Sequence, residues 1–269
     1  MSGVLFTHTF RRGLRPALIW GIGLLIYGFY GTAIIPDVDA LQQYTAVMET
    51  IPPAMLQVFG VGDDMSFMTT PAGFISFGFF GYILLILAVY GVSSGLNVIA
   101  SEEDQGIMDV MLSLPLPRWR VIIERFAAYA LLSVGVVLMG FVGLVSGLQF
   151  SELVVDTGRL LEGSLNILPS LLLIMSLTVF VTAVIRNRNT ATAIAAGFVI
   201  VSYFLNVIGS AASGSIAGQI ARLSFFYYYG NNEVMQHGLM PVNMLGLLAV
   251  TLLLVVGGVW AFQRRDVGI

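Results

Sequence analysis

The chain has 269 residues, of which 57% are hydrophobic and 10% are charged, and its formal net charge is −3. A soluble domain carries about 25% charged residues. The mean hydropathy of this chain, +0.91, is also far above that of soluble domains. These values exclude an ordinary soluble protein and predict an integral membrane protein. The chain contains no cysteine, which excludes disulfides, thiol catalysis and thiolate metal sites.

Six apolar stretches are long enough to cross a bilayer as helices, which takes about 20 residues each. The first exceeds the about 7–15 apolar residues of a signal peptide, so we expect it to remain in the protein. The sequence therefore predicts an all-α integral membrane protein in which residues 1–269 form a single domain. The predicted spans lie near residues 16–35, 73–100, 121–148, 164–185, 190–209 and 241–262.

Two segments between the predicted spans carry helical patterns of their own. Between Pro36 and Ala72, apolar residues recur at helical spacing before Pro52 and Pro53, which predicts a short helix ahead of span 2. Between Ser210 and Met240, a small-residue run leads into the aromatic cluster Phe225 to Tyr229. Aromatic rings next to spans are typical of an interfacial belt or of a re-entrant helix, here ahead of span 6.

The basic residues are distributed asymmetrically. All twelve are arginines, and ten of them lie before span 1, after span 6, or in the two segments that join spans 2 to 3 and spans 4 to 5. Arg159 and Arg222 lie in the other segments. Because cytoplasmic loops carry the excess of positive charge, both termini are predicted to be cytoplasmic. The segment between spans 2 and 3 is then cytoplasmic as well.

That segment, Ala100 to Phe126, is a charged insert between two long apolar runs. Glu102, Gly106, Asp109 and Ser113 form a polar or small stripe, opposite an apolar face that includes Met108 and Met111. The pattern predicts an amphipathic helix near residues 101–114, ended by Pro115 and Pro117. Arg120 and Glu124 are spaced as an ion pair on the following helix. By these residues alone, the helix could simply rest on the lipid surface.

A longer arrangement of residues gives the insert a second interpretation. Glu102 is followed by Gly106, by Met111 with Leu112, by Pro115, by Arg118 and by Arg125 early in the next span. In these positions the chain resembles the permease family of type-2 ABC exporters, although Ile107 and Arg125 stand where that family often has threonine and lysine. Two further similarities are LSFFYYY from Leu223, before span 6, and FQRRD, Phe262 to Asp266, after it.

The resemblance implies that the insert is a coupling helix which docks into a cytoplasmic ATPase subunit. It also implies an interfacial helix over Phe6 to Arg15, a second permease copy or a paralogue, and a prokaryotic plasma membrane as the location. The permease itself would be no enzyme and bind no cofactor, because ATP and Mg²⁺ belong to the partner. A phosphate-binding P-loop needs a lysine, and this chain has none. The implied docking residues are Glu102, Gly106, Met108, Asp109, Met111, Leu112, Pro115 and Arg118.

Other functions find less support in these residues. Gly91 to Gly95 fits the GxSxG pattern of a nucleophile elbow, but within an apolar span it is more typical of a small-residue packing face. Asp37, Asp39, Asp63 and Asp64 could hold calcium, although carboxylates outside the membrane are usually solvated. An ion-coupled secondary transporter or channel is the main alternative, and it usually needs ionisable residues at mid-membrane, which the span cores lack. A multispan membrane enzyme would need a cluster of acids, histidines or metal ligands that we do not find in the sequence.

Overall fold

The computed structural model describes residues 3–34, 69–103, 117–211 and 216–264, together with residues 39, 43, 44, 46, 47, 50, 51 and 67. The described secondary structure is helical throughout, as predicted. The helices are α1 (Val4–Ala33), α2 (Pro71–Ile75), a π-helical turn (Ser76–Phe80), α3 (Gly81–Glu103), α4 (Arg118–Leu148), α5 (Thr157–Val184), α6 (Arg188–Ala211), α7 (Ile216–Ile220), a 3₁₀ turn (Ala221–Leu223), α8 (Phe225–Tyr229), α9 (Asn231–His237) and α10 (Pro241–Arg264).

Six helical segments in the described residues are long and apolar enough to cross a membrane, which confirms the six predicted spans. Span 1 is α1, and residues 6–15 are the start of that helix, continuous with the membrane-spanning part. Span 2 is built from α2, the π turn and most of α3, and the remaining spans are α4, α5, α6 and α10. Their bounds are Val4–Ala33, Pro71–Ile99, Trp119–Leu148, Thr157–Val184, Arg188–Ser210 and Pro241–Arg264.

Helix α5 lies at the centre of the bundle. In its most apolar stretch 72% of the residues are buried, against 28% for α1 and α10 and 22% for α6. Gly95 of α3 allows a close approach to α5, because a Cβ atom there would lie 2.7 Å from the carbonyl oxygen of Met175. The predicted small-residue face of span 2 is therefore a packing surface against the central helix.

Spans that follow each other in the chain run in opposite directions, as six successive crossings require. Along α1 and span 2 the contacts pair Trp20 with Tyr90, at a ring separation of 6.0 Å, and Tyr27 with Gly78, by a hydrogen bond of 2.7 Å. The residue numbers of the contacts fall along span 2 as they rise along α1, so α1 and span 2 are antiparallel. We call the end where α3 stops and α4 starts the insert end, and the opposite end the far end.

Helices α1 and α4 are parallel and meet along a seam of small residues. A Cβ atom on Gly143 would collide with the backbone of Leu25, and one on Gly28 would lie 2.8 Å from the carbonyl oxygen of Gly140. At the far end of this seam, the Thr32 hydroxyl donates to the Leu144 carbonyl at 3.2 Å. Such close packing of backbones is how membrane helices associate when lipid is as apolar as their side chains.

Short helices precede span 6, as the aromatic cluster predicted. The cluster itself forms α8, which begins with the Ser224 hydroxyl accepting a hydrogen bond from the Phe226 amide and ends at Gly230 with φ of 45°. Most of the helix predicted between Pro36 and Ala72 lies outside the described residues, and so do residues 104–116 of the insert.

Candidate functional site

The predicted docking residues fall mainly on the part of the insert that is not described. Gly106, Met108, Asp109, Met111, Leu112 and Pro115 lie outside the described residues. Glu102 lies in the last turn of α3, and Arg118 is the first residue of α4. Pro117 precedes it with extended φ and ψ of −66° and 131°, so α4 begins directly after this proline.

A buried arginine joins the two helices that carry the insert. The guanidinium Nη1 of Arg125, on α4, donates to the carbonyl oxygen of Val98, on α3, at 3.0 Å. Arg125 is only 4% exposed, and Ile99 of α3 and Ile122 of α4 are fully or almost fully buried. A charged donor in such surroundings makes a stronger hydrogen bond than a neutral one. The two ends of the insert are thus held together on a packed base.

A carboxylate next to this base holds the start of α1. Glu124 accepts a hydrogen bond from the Arg120 Nε at 2.6 Å, which confirms the predicted ion pair. It also accepts from the backbone amides of Gly3 at 3.4 Å and Phe6 at 3.2 Å. The first amides of a helix have no partner within the helix, and a negative charge there is favourable. The sequence suggested the ion pair but not these contacts, which span more than a hundred residues.

Within the described residues, the interior of the bundle is polar only through neutral groups, apart from Arg125. Among the described residues that are buried, the other polar side chains are serines, threonines and Asn166. Asn166 donates to the Tyr229 carbonyl at 2.5 Å. No group of three histidine, cysteine, aspartate or glutamate residues within the described part of the chain could hold a metal ion.

In the part of the chain that the structure describes, the GxSxG pattern has no catalytic surroundings. Ser93 and Ser94 lie within the continuous helix α3, and Ser94 is 3% exposed. His8 belongs to α1 near the insert end, while His237 ends α9 at the far end. Neither histidine can act as the base that a serine nucleophile needs.

An open apolar groove runs between α3 and α6. Its volume is about 350 Å³, and Leu85, Val89 and Val92 of α3 face Ala196, Val199 and Ile200 of α6 across it. Val89 is 61% exposed and Ile200 is 53% exposed. This groove presents an apolar surface within spans 2 and 5 to lipid or to another transmembrane helix.

At the far end, the π turn of span 2 receives hydrogen bonds from three other segments. A π turn widens the helix and often marks a functional site. No sequence pattern pointed to these contacts, because each joins residues far apart in the chain. The donors are the Tyr27 hydroxyl to Gly78 at 2.7 Å, the Asn231 amide to Ser76 at 3.0 Å and the Tyr229 hydroxyl to Phe80 at 3.0 Å, each bond ending on a backbone carbonyl.

Comparison with known protein families agrees with this architecture. The family model described as ABC-2 family transporter protein matches residues 4–267, almost the whole chain. Among curated proteins, no relative matches the chain. The match covers all six spans, the insert and the aromatic segment before span 6. The chain therefore belongs to the ABC-2 family of transporter proteins.

Proposed function

We propose that this protein is the membrane-spanning permease subunit of an ATP-driven exporter, and that a separate ATPase subunit docks on its insert. The observation that carries the proposal is the hydrogen bond between Arg125 and Val98, which ties the two ends of the insert together. A docking element transmits motion only if its base is rigid. Glu124 extends this base to α1, so a displacement of the insert would be passed to spans 1, 2 and 3 together.

Docking is assigned to Glu102, Asp109 and Arg118 as charged contacts, together with the apolar ridge of Met108, Met111 and Leu112 and the small or stiff residues Gly106 and Pro115. The ATPase supplies the site for ATP and Mg²⁺, since the chain has no lysine for a P-loop. The protein then lies in a prokaryotic plasma membrane, with residues 1–15 and the C-terminus on the cytoplasmic side. This orientation agrees with the arginine distribution.

A second copy of the chain, or a paralogue, would complete the translocation pathway. The groove between α3 and α6 supports this step because it is a continuous apolar surface without a partner from the described residues of the same chain. A pathway with such a lining suits lipids, amphiphilic drugs or hydrophobic peptides better than free ions. Ion-coupled transport is disfavoured, because the described span interiors bury one charged side chain, Arg125, which is bonded to Val98.

The docking proposal is tested by charge reversal on the insert. Asp109→Arg and Arg118→Glu should each abolish co-purification with the ATPase and the stimulation of its turnover, while the protein still inserts in the membrane. Glu152→Arg is the matched control, because Glu152 is exposed beyond the end of α4 at the far end. Normal ATPase binding and stimulation by both insert variants would show that the docking residues are wrongly assigned.

A further inference from the structure

A pocket of about 240 Å³ opens at the far end, between the start of span 2, the end of α6 and the segment from α8 to α9. Its volume lies below the about 300–1,000 Å³ of sites for drug-sized ligands, so it suits a small head group. It lies at the opposite end of span 2 from the insert.

Aromatic rings form a large part of the walls of this pocket, with six of the fourteen described lining residues. Phe77 and Tyr82 of span 2 meet edge-on at 5.8 Å on one side. Tyr203 of α6 and Phe226 of α8 meet edge-on at 5.6 Å on another. An edge-on pair covers one face of one ring. Phe226 also packs on Phe225 at 4.4 Å, so the half-buried Phe77, Tyr82 and Tyr203 offer the freer ring faces. Tyr227, which is 45% exposed, also lines the pocket.

The charge of the lining is negative. Among the described residues that line the pocket, Glu233 is the charged one, and its side chain is 62% exposed. His237 lies next to it, with 3.4 Å between the histidine Nδ1 and the carboxylate Oε2. The aromatic faces are also electron-rich, so the rings and the carboxylate favour the same sign of ligand.

We propose that this pocket binds a quaternary ammonium group. Electron-rich ring faces with a nearby carboxylate are suited to a weakly hydrated organic cation. A primary ammonium group such as that of lysine is strongly hydrated and is less suited to this pocket. A sugar is the competing ligand, because Asn206 and Asn232 also line the pocket, although the Asn231 amide is already bonded to the Ser76 carbonyl and hydroxyl. The ammonium group belongs either to a free solute or to a choline lipid head group.

The test measures choline binding to the full chain in nanodiscs by saturation-transfer NMR. The discs contain a constant fraction of phosphatidylglycerol, with phosphatidylethanolamine as the remainder. Choline should bind saturably, and its uncharged isostere 3,3-dimethylbutan-1-ol should bind at least tenfold more weakly. Equal binding of the two compounds would overturn the proposal, as would saturable binding of maltose in the absence of choline binding.

Variants locate the site. Tyr227→Leu should weaken choline binding about threefold to tenfold, whereas Tyr227→Phe, which keeps the ring, should stay within about twofold of the unmodified protein. Tyr228→Leu is the control, because the adjacent tyrosine is 37% exposed and does not line the pocket. Glu233→Gln should weaken binding about twofold to fivefold. Equal effects of Tyr227→Leu and Tyr228→Leu would place choline elsewhere and overturn the assignment.

Replacing the phosphatidylethanolamine by phosphatidylcholine distinguishes the two sources of the ammonium group. If the lipid head group is the ligand, choline affinity should fall in these discs, and Tyr227→Leu should remove the difference. If a free solute is the ligand, choline affinity should be the same in both kinds of disc. Either result supports a quaternary ammonium site, and both are independent of ATPase docking because no ATPase is present.

Discussion

The guanidinium of Arg125 in α4 donates a hydrogen bond to the carbonyl oxygen of Val98 in α3, 27 residues earlier in the chain, at 3.0 Å. Residues 100–124 of the insert lie between these two residues. Its two ends are therefore joined by a buried, charge-assisted contact, while Glu124, the residue before Arg125, bonds the first amides of α1. Three spans meet at the point from which the insert leaves the bundle.

Arg125→Met should loosen the base of the insert. A hydrogen bond to a charged group contributes about 1.5–3 kcal/mol, so amide hydrogen exchange in residues 96–103 and 118–125 should become roughly tenfold faster or more. Arg222→Met is the control, because Arg222 is exposed at the far end. Unchanged exchange at the ends of α3 and α4 would mean that the contact does not hold them together.

Glu124→Ala should destabilise the first two turns of α1. The side chain occupies the role of a helix cap for the amides of Gly3 and Phe6, and losing such a cap costs about 0.5–2 kcal/mol. Hydrogen exchange of residues 6–9 should become about threefold to thirtyfold faster. Glu162→Ala, which removes the carboxylate paired with Arg159 at 2.9 Å, should leave this region unchanged. Equal exchange in the two variants would contradict the capping role.

Gly143→Ala should weaken the seam between α1 and α4. The added methyl group would collide with the backbone of Leu25, and overpacking of this kind costs about 1–3 kcal/mol. Thermal unfolding in detergent should therefore begin at lower temperature. Gly135→Ala is the matched control on the same helix, because a Cβ atom there meets nothing within 4 Å. The control should be neutral or slightly stabilising, by up to about 1 kcal/mol. A seam that tolerates alanine at both positions would not depend on close backbone contact.

Tyr229→Phe should destabilise the far end. The Tyr229 hydroxyl donates to the Phe80 carbonyl in the π turn, and burial raises the pKa of Tyr229, which keeps the hydroxyl protonated as a donor. Removing it should cost about 1–3 kcal/mol, because the buried carbonyl loses a partner. Tyr228→Phe, on an exposed side chain, should leave the unfolding temperature unchanged. The prediction fails if both variants unfold at the same temperature as the unmodified protein.

Much of the architecture was predictable from the sequence. Six apolar runs could only become membrane-spanning helices, since an unpaired backbone amide in lipid is costly and a helix satisfies its amides internally. The boundaries were less accurate. Span 4 was predicted from residue 164 and α5 begins at Thr157, because Asp156 caps the helix with its side chain and the polar first turn carries no apolar signal.

The site was only partly predictable. The spacing of Arg120 and Glu124 predicted their ion pair, since residues four apart lie on one face of a helix. The contacts of Glu124 with Gly3 and Phe6, and of Tyr229 with Phe80, join residues more than a hundred positions apart. No local periodicity encodes such pairs.

By itself, therefore, the sequence determined the number of spans, their alternating direction and the amphipathic character of the insert, because these depend on local hydrophobicity and charge. The tertiary structure decided which helices pack together and which polar groups meet. In lipid, hydrophobicity does not select helix partners. Helix α1 packs against α4 because Gly143 fits closely against the backbone of Leu25. The base of the insert is rigid because Arg125 donates a hydrogen bond to Val98.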